Sequence, residues 1–182
     1  MKHITLPLTL DAVQNLRAGD RCLLTGTIYT ARDAAHKRLC EALQRGDPLP
    51  VELENITIYF AGPAPAAPGQ VIGSCGPTTS YRMDAYSPTL IEKGLTGMIG
   101  KGRRSKAVID AMRDRAVYFG AIGGCGASIA RCVKKAEVVA YPDLGAEAIH
   151  KLQVKDFPVT VIIDSVGNDL YDLGPATYLR KL

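Results

Sequence analysis

The sequence predicts a single α/β domain in which a mixed β-sheet is packed by helices. Short runs of alternating or continuous apolar residues are typical of strands, and they are separated by segments with apolar residues at helical spacing. A hydrophobic content of 47% over 182 residues is enough for one substantial core. We therefore expect one domain that spans residues 1–182.

The individual elements follow from apolar spacing and from the residues that begin and end helices. Ala35, Leu39 and Leu43 recur at helical spacing, and Gly46 follows them as a typical helix end. Ser105 is placed to cap a later helix. The proline-rich stretches between 47 and 70 are interpreted as loops inside the one domain. The predicted strands are 4–8, 21–29, 55–60, 96–99, 133–141 and 159–164, the predicted helices are 11–16, 31–45, 84–93, 105–115 and 146–151, and residues 118–128 are read as a strand, a glycine-rich turn and a helix.

Composition narrows the class of protein. No apolar run approaches the roughly 20 residues of a membrane span, and the first residues lack the apolar core of a signal peptide, so we expect a cytoplasmic protein without a membrane partner. The five cysteines contain no C-x-x-C pair, which indicates reduced thiols and predicts no metal site on this chain. The net charge of +4 fits a dicarboxylate-binding protein about as well as a weak nucleic-acid binder. Because no long basic stripe with interleaved aromatic residues is present, we expect no nucleic-acid partner.

The segment 73–84, Gly-Ser-Cys-Gly-Pro-Thr-Thr-Ser-Tyr-Arg-Met-Asp, carries the strongest functional signal. Two glycines and one proline fix its backbone path. Thr78, Thr79 and Ser80 place three hydroxyl groups in a row, and Arg82 follows within one helical turn. This pattern predicts a site for a small, oxygen-rich anion, with a polar strand-to-helix connection as the alternative.

Two other segments offer cations at glycine-rich or helix-start positions. Arg32 and His36 are four residues apart near the start of the helix predicted at 31–45, where unpaired N–H groups favour anions. Lys101 lies between two glycines in the basic segment 100–106. The alternatives are an exposed helix charge for Arg32, a capping or core partner for His36, and a solvated basic turn for the later cations of 100–106.

The segment 73–84 resembles the Gly-Pro-Thr-Thr-x-x-Arg-Met-Asp signature of one family, the C-terminal domain of class I, iron-sulfur fumarases. The same domain forms the beta subunit of two-subunit fumarases and L-tartrate dehydratases. Further blocks similar to that family follow in its order and cover nearly the whole chain. These blocks are 26–38, 98–102, 118–124, 143–149, 156–158 and 164–169.

The resemblance implies a fold of the swivelling β/β/α type and only half of an enzyme. The implied activity is the reversible hydration of fumarate to (S)-malate by a [4Fe–4S]-dependent hydro-lyase, of which this chain is the beta subunit. The cluster is expected on three cysteines of an alpha subunit, in an α2β2 heterotetramer. L-tartrate and mesaconate are the alternative substrates, since Ser80 and Tyr81 stand where the family commonly has a smaller pair. A non-catalytic, anion-binding regulatory module on the same fold is the alternative class.

The resemblance also implies roles for single residues. Hydration of a dicarboxylate needs a Lewis acid, fixed cations for carboxylate charge, and a base for a weakly acidic carbon-bound proton. The substrate-binding cations of the family fall on Arg32, Arg82 and Lys101, and the hydroxyl proposed as its base falls on Thr78, for which ligand positioning is the alternative. We expect Thr78 and Arg82 to be catalytic. His36 and Thr79 complete the predicted substrate-binding set.

Overall fold

The computed structural model describes residues 1–179 as one sheet with helices around it. The last three residues of the predicted domain, 180–182, lie outside the described residues. Short 3-10 turns cover Ser80–Met83 and Pro142–Glu147. The strands are β1 (Lys2–Thr5), β2 (Arg21–Thr30), β3 (Ile56–Tyr59), β4 (Leu95–Gly100), β5 (Val117–Gly120), β6 (Val133–Ala140) and β7 (Ile149–Ile163), and the helices are α1 (Leu10–Gln14), α2 (Asp33–Arg45), α3 (Ser87–Glu92), α4 (Lys106–Met112), α5 (Gly126–Ala130) and α6 (Leu170–Leu179).

The sheet is mixed and closes on itself. Its strand order is β1-β2-β3-β4-β5-β7-β6, and β7 also pairs with β2, so β2, β3, β4, β5 and β7 form a barrel-like ring. The pairings from β1 through β5 are parallel, whereas β7 runs antiparallel to β2, β5 and β6. The predicted α/β class with a mixed sheet is therefore confirmed.

Two cores lie on the two faces of this sheet. Successive side chains of a strand point to opposite faces, and in β3 Tyr59 joins the core inside the ring while Ile58 joins the core under the helices. In β5, Phe119 and Tyr118 divide in the same way. Strands covered on both faces need apolar residues at consecutive positions, which explains their short, continuous apolar runs.

Several helix ends are where the sequence predicts them. Gly46 adopts a left-handed conformation, with φ of 73°, and ends α2. The Ser105 hydroxyl accepts a hydrogen bond from the backbone N–H of Val108, which confirms the predicted cap of α4. Helix α3 begins later than predicted, so that Pro88 falls in its first turn, where its missing N–H costs nothing.

One predicted helix is wrong. Residues 146–151 were expected to be helical, but β7 begins at Ile149 and runs to Ile163. Its first half pairs with β6 on one edge and with β2 on the other. Pairing on both edges, with Ile149 and Leu152 buried, outweighs the local helix preference of the segment.

Smaller differences concern where elements begin. The first strand ends at Thr5, before Leu6 and Leu8, and α1 begins at Leu10, capped by Thr9, one residue before the predicted start of that helix. The helix expected at 84–93 begins only at Ser87, after the 3-10 turn. Helix α6 was not predicted, and none of its residues is buried. Of the helices within residues 1–179, none is both long enough and apolar enough to cross a bilayer.

Candidate functional site

The predicted site residues gather at one edge of the sheet. Strands β2 to β5 are parallel, so their carboxyl ends meet at the same edge, where ligands of α/β sheets commonly bind. Arg32 follows β2, Phe60 follows β3 and Lys101 follows β4. The segment 76–82 joins this edge through contacts with all three of these connections.

The threonine pair lies as a short extra strand between the ends of β3 and β4. The backbone N–H and the hydroxyl of Thr78 both donate to the carbonyl oxygen of Phe60, each at 2.8 Å. Thr79 pairs in parallel with Lys101, and the N–H of Ser80 donates to the Lys101 carbonyl at 2.9 Å. These bonds place the Thr78 oxygen and the Lys101 backbone on neighbouring connections.

The Arg-Met-Asp part of the motif sends its three side chains in different directions. Arg82 is 44% exposed and pairs with the Asp33 carboxylate at the start of α2. Met83 is buried in the core under the helices. Asp84 accepts from Arg104 Nε at 2.6 Å. Only Arg82 is therefore available to a ligand.

Arg32 is held by a carboxylate from a distant part of the chain. Its guanidinium lies 3.2 Å from Glu147 Oε1, and Glu147 Oε2 accepts from the N–H of Ala34 at 3.3 Å. Arg32 occupies the cap position of α2 but has no side-chain cap bond to offer. Glu147 therefore satisfies an N–H group of the first helical turn and orients Arg32 at the same time.

His36 is completely buried one turn into α2. Its Nδ1 atom lies 2.9 Å from the Arg32 carbonyl oxygen, and its ring packs edge-on against Phe60 at 5.3 Å between centroids. Burial lowers the pKa of His36 to about 4, so the ring is neutral near pH 7. Since a carbonyl only accepts, Nδ1 carries the proton. In this position His36 contacts the backbone of Arg32 and lies beneath the exposed face.

Unpartnered polar atoms concentrate at the same place. Four buried side-chain nitrogen or oxygen atoms of the described residues lack a hydrogen-bond partner. Three of them belong to Arg32, Asp33 and His36, and the fourth to Thr57. Buried polar atoms are ordinarily paired, so such a cluster marks a place where a further group is expected.

The basic segment 100–106 contains four cations. One of them is exposed at the candidate site, and the other three pair with carboxylates. Arg103 pairs with Asp172 of α6, Arg104 is buried against Asp84, and Lys106 pairs with Asp110. Lys101 is exposed and lies beside Gly123, where an added Cβ atom would be 3.9 Å from its Nζ. No carboxylate within residues 1–179 forms an ion pair with Lys101.

The donor set of residues 1–179 does not fit an iron–sulfur cluster. Within the part of the chain that the structure describes, no three His, Cys, Asp or Glu side chains come together in a way that could hold a metal ion. Cys75, next to the threonine pair, is buried, and burial raises the pKa of its thiol to about 12. A protonated, buried thiol is chemically unreactive.

The candidate site is an open face. Tyr81 is 65% exposed and Ile122 is 70% exposed, on the connections that flank Arg82 and Lys101. A cavity of about 490 Å³ lies elsewhere, at the amino ends of β3 and β4, where Asn55 and Gly94 line it. That cavity shares no residue with the cations and hydroxyls described above.

Sequence reasoning missed the groups that hold the site cations. Asp33 is adjacent to Arg32, and its place in the first turn of a helix was a usable signal. Glu147 and Tyr118 lie in the similar blocks 143–149 and 118–124, but nothing local to those blocks indicates that they contact Arg32 and the carbonyl oxygen of Gly102. Only the closed sheet brings them there.

Comparisons with known proteins agree on one family. The family model described as Fumarase C-terminus matches residues 1–174. A protein named Fumarate hydratase 2 from Leishmania major is 42% identical over 156 residues, which are 84% of this chain and 28% of that protein. The aerobic class I fumarate hydratase of Salmonella typhimurium is 44% identical over 165 residues, 89% of this chain and 28% of that protein.

A third relative is similar in length to this chain. The putative L(+)-tartrate dehydratase subunit beta of Methanocaldococcus jannaschii is 38% identical over 179 residues, which are 94% of this chain and 92% of that protein. The chain thus spans 28% of the two fumarate hydratases but nearly all of a protein named as a subunit.

Proposed function

Because this chain belongs to the family described as Fumarase C-terminus, we propose that it is the beta subunit of a hydro-lyase that reversibly hydrates fumarate to (S)-malate. The observation that carries the proposal is that Arg32, Arg82, Lys101 and the Thr78–Thr79 pair all lie on connections at the open carboxyl edge of the parallel strands. Fixed cations beside hydroxyl groups suit a substrate with two carboxylates and a hydroxyl in one of its forms.

Each cation has a distinct part in this proposal. Arg82 keeps donors free beyond those used by Asp33, because a guanidinium carries five N–H groups and binds a carboxylate with two of them. Lys101 adds a point charge without an orienting fork. His36 belongs to the site as a neutral group that holds the backbone of Arg32.

Thr78 is proposed to orient the substrate. Its hydrogen is donated to the Phe60 carbonyl, so its oxygen is free to accept from a substrate hydroxyl or from bound water. A role as base would require another group to take that hydrogen, and a backbone carbonyl is too weak a base to do so. The adjacent Thr79 is proposed to contact the same ligand.

The proposed partner of this chain is a cluster-bearing alpha subunit. Three features support it: the site is open, the cysteines of the described residues do not converge, and the fumarate hydratases above extend far beyond the matched part. We therefore place the [4Fe–4S] cluster on the alpha subunit, in an α2β2 enzyme in the cytoplasm.

L-tartrate is the second candidate substrate. The relative from Methanocaldococcus jannaschii, which this chain matches along nearly its whole length, is named for tartrate. Tyr81 adjoins Arg82 and is exposed enough to shape the substrate pocket. Mesaconate is the third candidate, and a non-catalytic anion-binding module is the alternative without chemistry.

The Arg82→Ala variant tests the proposal. In the complex with the alpha subunit, kcat/KM for the dicarboxylate should fall at least about a hundredfold, because a fixed charge partner of the substrate is lost. Arg45→Ala is the matched control, since Arg45 is an exposed arginine paired with Asp47 at the far end of α2. Assembly should survive in both variants, and wild-type turnover by an assembled Arg82→Ala complex would refute the site.

A further inference from the structure

A directed chain of hydrogen bonds encloses the backbone of the lysine in the candidate site. The N–H of Lys101 donates to Ser80 Oγ at 3.0 Å, and Ser80 Oγ lies 2.9 Å from the hydroxyl oxygen of Tyr118. The Tyr118 hydroxyl in turn lies 2.9 Å from the carbonyl oxygen of Gly102. The chain thus begins at residue 101 and returns to residue 102.

The direction of every bond in this chain is fixed. A carbonyl oxygen cannot donate, so Tyr118 gives its single hydroxyl hydrogen to Gly102. Ser80 must then donate to the oxygen of Tyr118 and accept from the N–H of Lys101. With its directions settled, the chain leaves neither hydroxyl hydrogen without an acceptor.

The two hydroxyls of this hydrogen-bond chain are buried and closely packed. Ser80 and Tyr118 are both fully buried. Burial raises the pKa of the Tyr118 hydroxyl well above its usual range, so it stays a donor at any ordinary pH. A Cβ atom at Gly100 would overlap the Ser80 hydroxyl, so the missing side chain of this glycine makes room for that hydroxyl.

The Tyr118 ring is itself held from the other side. The guanidinium of Arg104 stacks 5.1 Å from its centroid and 5.2 Å from that of Phe60. Arg104 is anchored in turn by Asp84 and by the hydroxyl of Ser87 at 2.7 Å. The phenol therefore presents its hydroxyl to the Lys101 connection from a rigid position.

We propose that Tyr118, acting through Ser80, is a positioning residue that fixes the backbone at Lys101 and so presents the lysine beside Thr79 for the substrate carboxylate. The inference rests on the proposed function for what Lys101 binds. It goes beyond that function by assigning specific roles to two buried hydroxyls outside the set of ligand-contacting residues. Neither hydroxyl needs to touch the substrate.

The test compares Tyr118→Phe and Ser80→Ala with a matched control, Tyr59→Phe. Tyr59 is also a fully buried tyrosine whose hydroxyl donates to a backbone carbonyl, that of Cys75 at 2.7 Å. In the isolated polypeptide, hydrogen exchange of the Lys101 amide should become about five- to tenfold faster in both test variants, because one hydrogen bond of the Lys101 connection is lost. The amides of β5 should keep wild-type protection in both test variants. The Lys101 amide should keep wild-type protection in the Tyr59→Phe control.

The second readout uses the complete enzyme. Tyr118→Phe should raise KM for the dicarboxylate about fivefold and leave kcat within about twofold, because a displaced lysine weakens ground-state and transition-state binding alike. Unchanged Lys101 exchange in Tyr118→Phe would overturn the inference. So would faster exchange combined with a KM equal to that of the control. If the wild-type enzyme turns over no dicarboxylate, the proposed function fails, while the exchange data still decide whether Tyr118 fixes Lys101.

Discussion

At the scale of single residues, the two arginines of the candidate site each meet a carboxylate of the same chain. Arg82 pairs with Asp33, and Arg32 pairs with Glu147. Both ion pairs lie at the start of α2. A guanidinium held in this way loses less side-chain freedom when a ligand arrives, which lowers the cost of binding. The pairs also balance charge at a face that would otherwise carry three cations.

Replacing Thr78 separates its two possible roles. Thr78→Val removes the hydroxyl at nearly constant shape, and we expect kcat/KM to fall about tenfold, the cost of a lost orienting hydrogen bond. Thr78→Ser, which keeps the hydroxyl, should stay close to wild type. Steady-state kinetics of the complex measures both. A loss beyond about a thousandfold in kcat alone would instead assign proton transfer to this hydroxyl.

The burial of His36 predicts a pH dependence of stability. Its pKa of about 4 in the folded chain lies below its usual 6.5, so between these values the unfolded chain binds more protons. The free energy of unfolding should therefore fall as pH drops from about 6.5 to 4, by up to about 3 kcal/mol. Urea unfolding at several pH values measures this fall.

The matching variant is His36→Asn, which keeps a donor near the Arg32 carbonyl but does not titrate. Its unfolding free energy should be lower than that of wild type at pH 7, yet nearly flat through the same pH range. An equal pH slope in the two proteins would show that His36 does not carry the effect.

At the scale of elements, Arg104 connects the motif to the helices. It lies at the junction of β4 and α4, pairs with Asp84 after the 3-10 turn, and bonds to Ser87 in α3. The second oxygen of Asp84 accepts from the backbone N–H of Ser105 at 2.5 Å. Two connections of the site are thus fastened to each other by a buried ion pair.

Removing that arginine should destabilise the whole domain. Arg104→Ala removes a fully buried guanidinium and leaves the largely buried Asp84 carboxylate without its charged partner, which costs on the order of 3 kcal/mol. Urea unfolding measures the loss. The neighbouring Arg103→Ala, which breaks only an exposed pair with Asp172, serves as the control and should change stability far less. Equal losses in the two variants would contradict the structural role of Arg104.

Local patterns explain which elements could be predicted. Helix α2 and the cap of α4 depend on nearby residues, so apolar spacing and Ser105 were sufficient. The start of β7 depends on partners far away in sequence, and a segment with good helix propensity became a strand. The 3-10 turn at Ser80–Met83 was hidden for the same reason, since its place is set by Lys101 and Phe60.

The same distinction holds for the candidate site. The cations and hydroxyls were predicted because they lie in short segments that resemble a known family. Glu147 and Tyr118 lie in the similar blocks 143–149 and 118–124, but their contacts with the site were not predicted, because those contacts follow from how distant strands and loops meet. The burial of His36 matches the core position that was the alternative for this residue. Groups that could contact a ligand were therefore easier to find than groups that hold them in place.

At the scale of the whole molecule, the closed sheet places the hydrophobic cores on its two faces and the candidate site at one edge. One core fills the ring of strands and a second lies under the helices, so the sheet is covered on both faces. The carboxyl edge of its parallel strands remains open and carries the cations. Such an edge suits a site that a second subunit completes.

The central claim is that this chain supplies the cationic half of a hydro-lyase site. The most direct measurement is an anaerobic assay of the chain alone and together with its cluster-bearing alpha subunit, with fumarate, L-tartrate and mesaconate offered in parallel. We predict turnover only when both subunits are present, with the preferred substrate naming the enzyme. No turnover of any of the three by a complex with an intact cluster, or turnover by this chain alone, would contradict the claim.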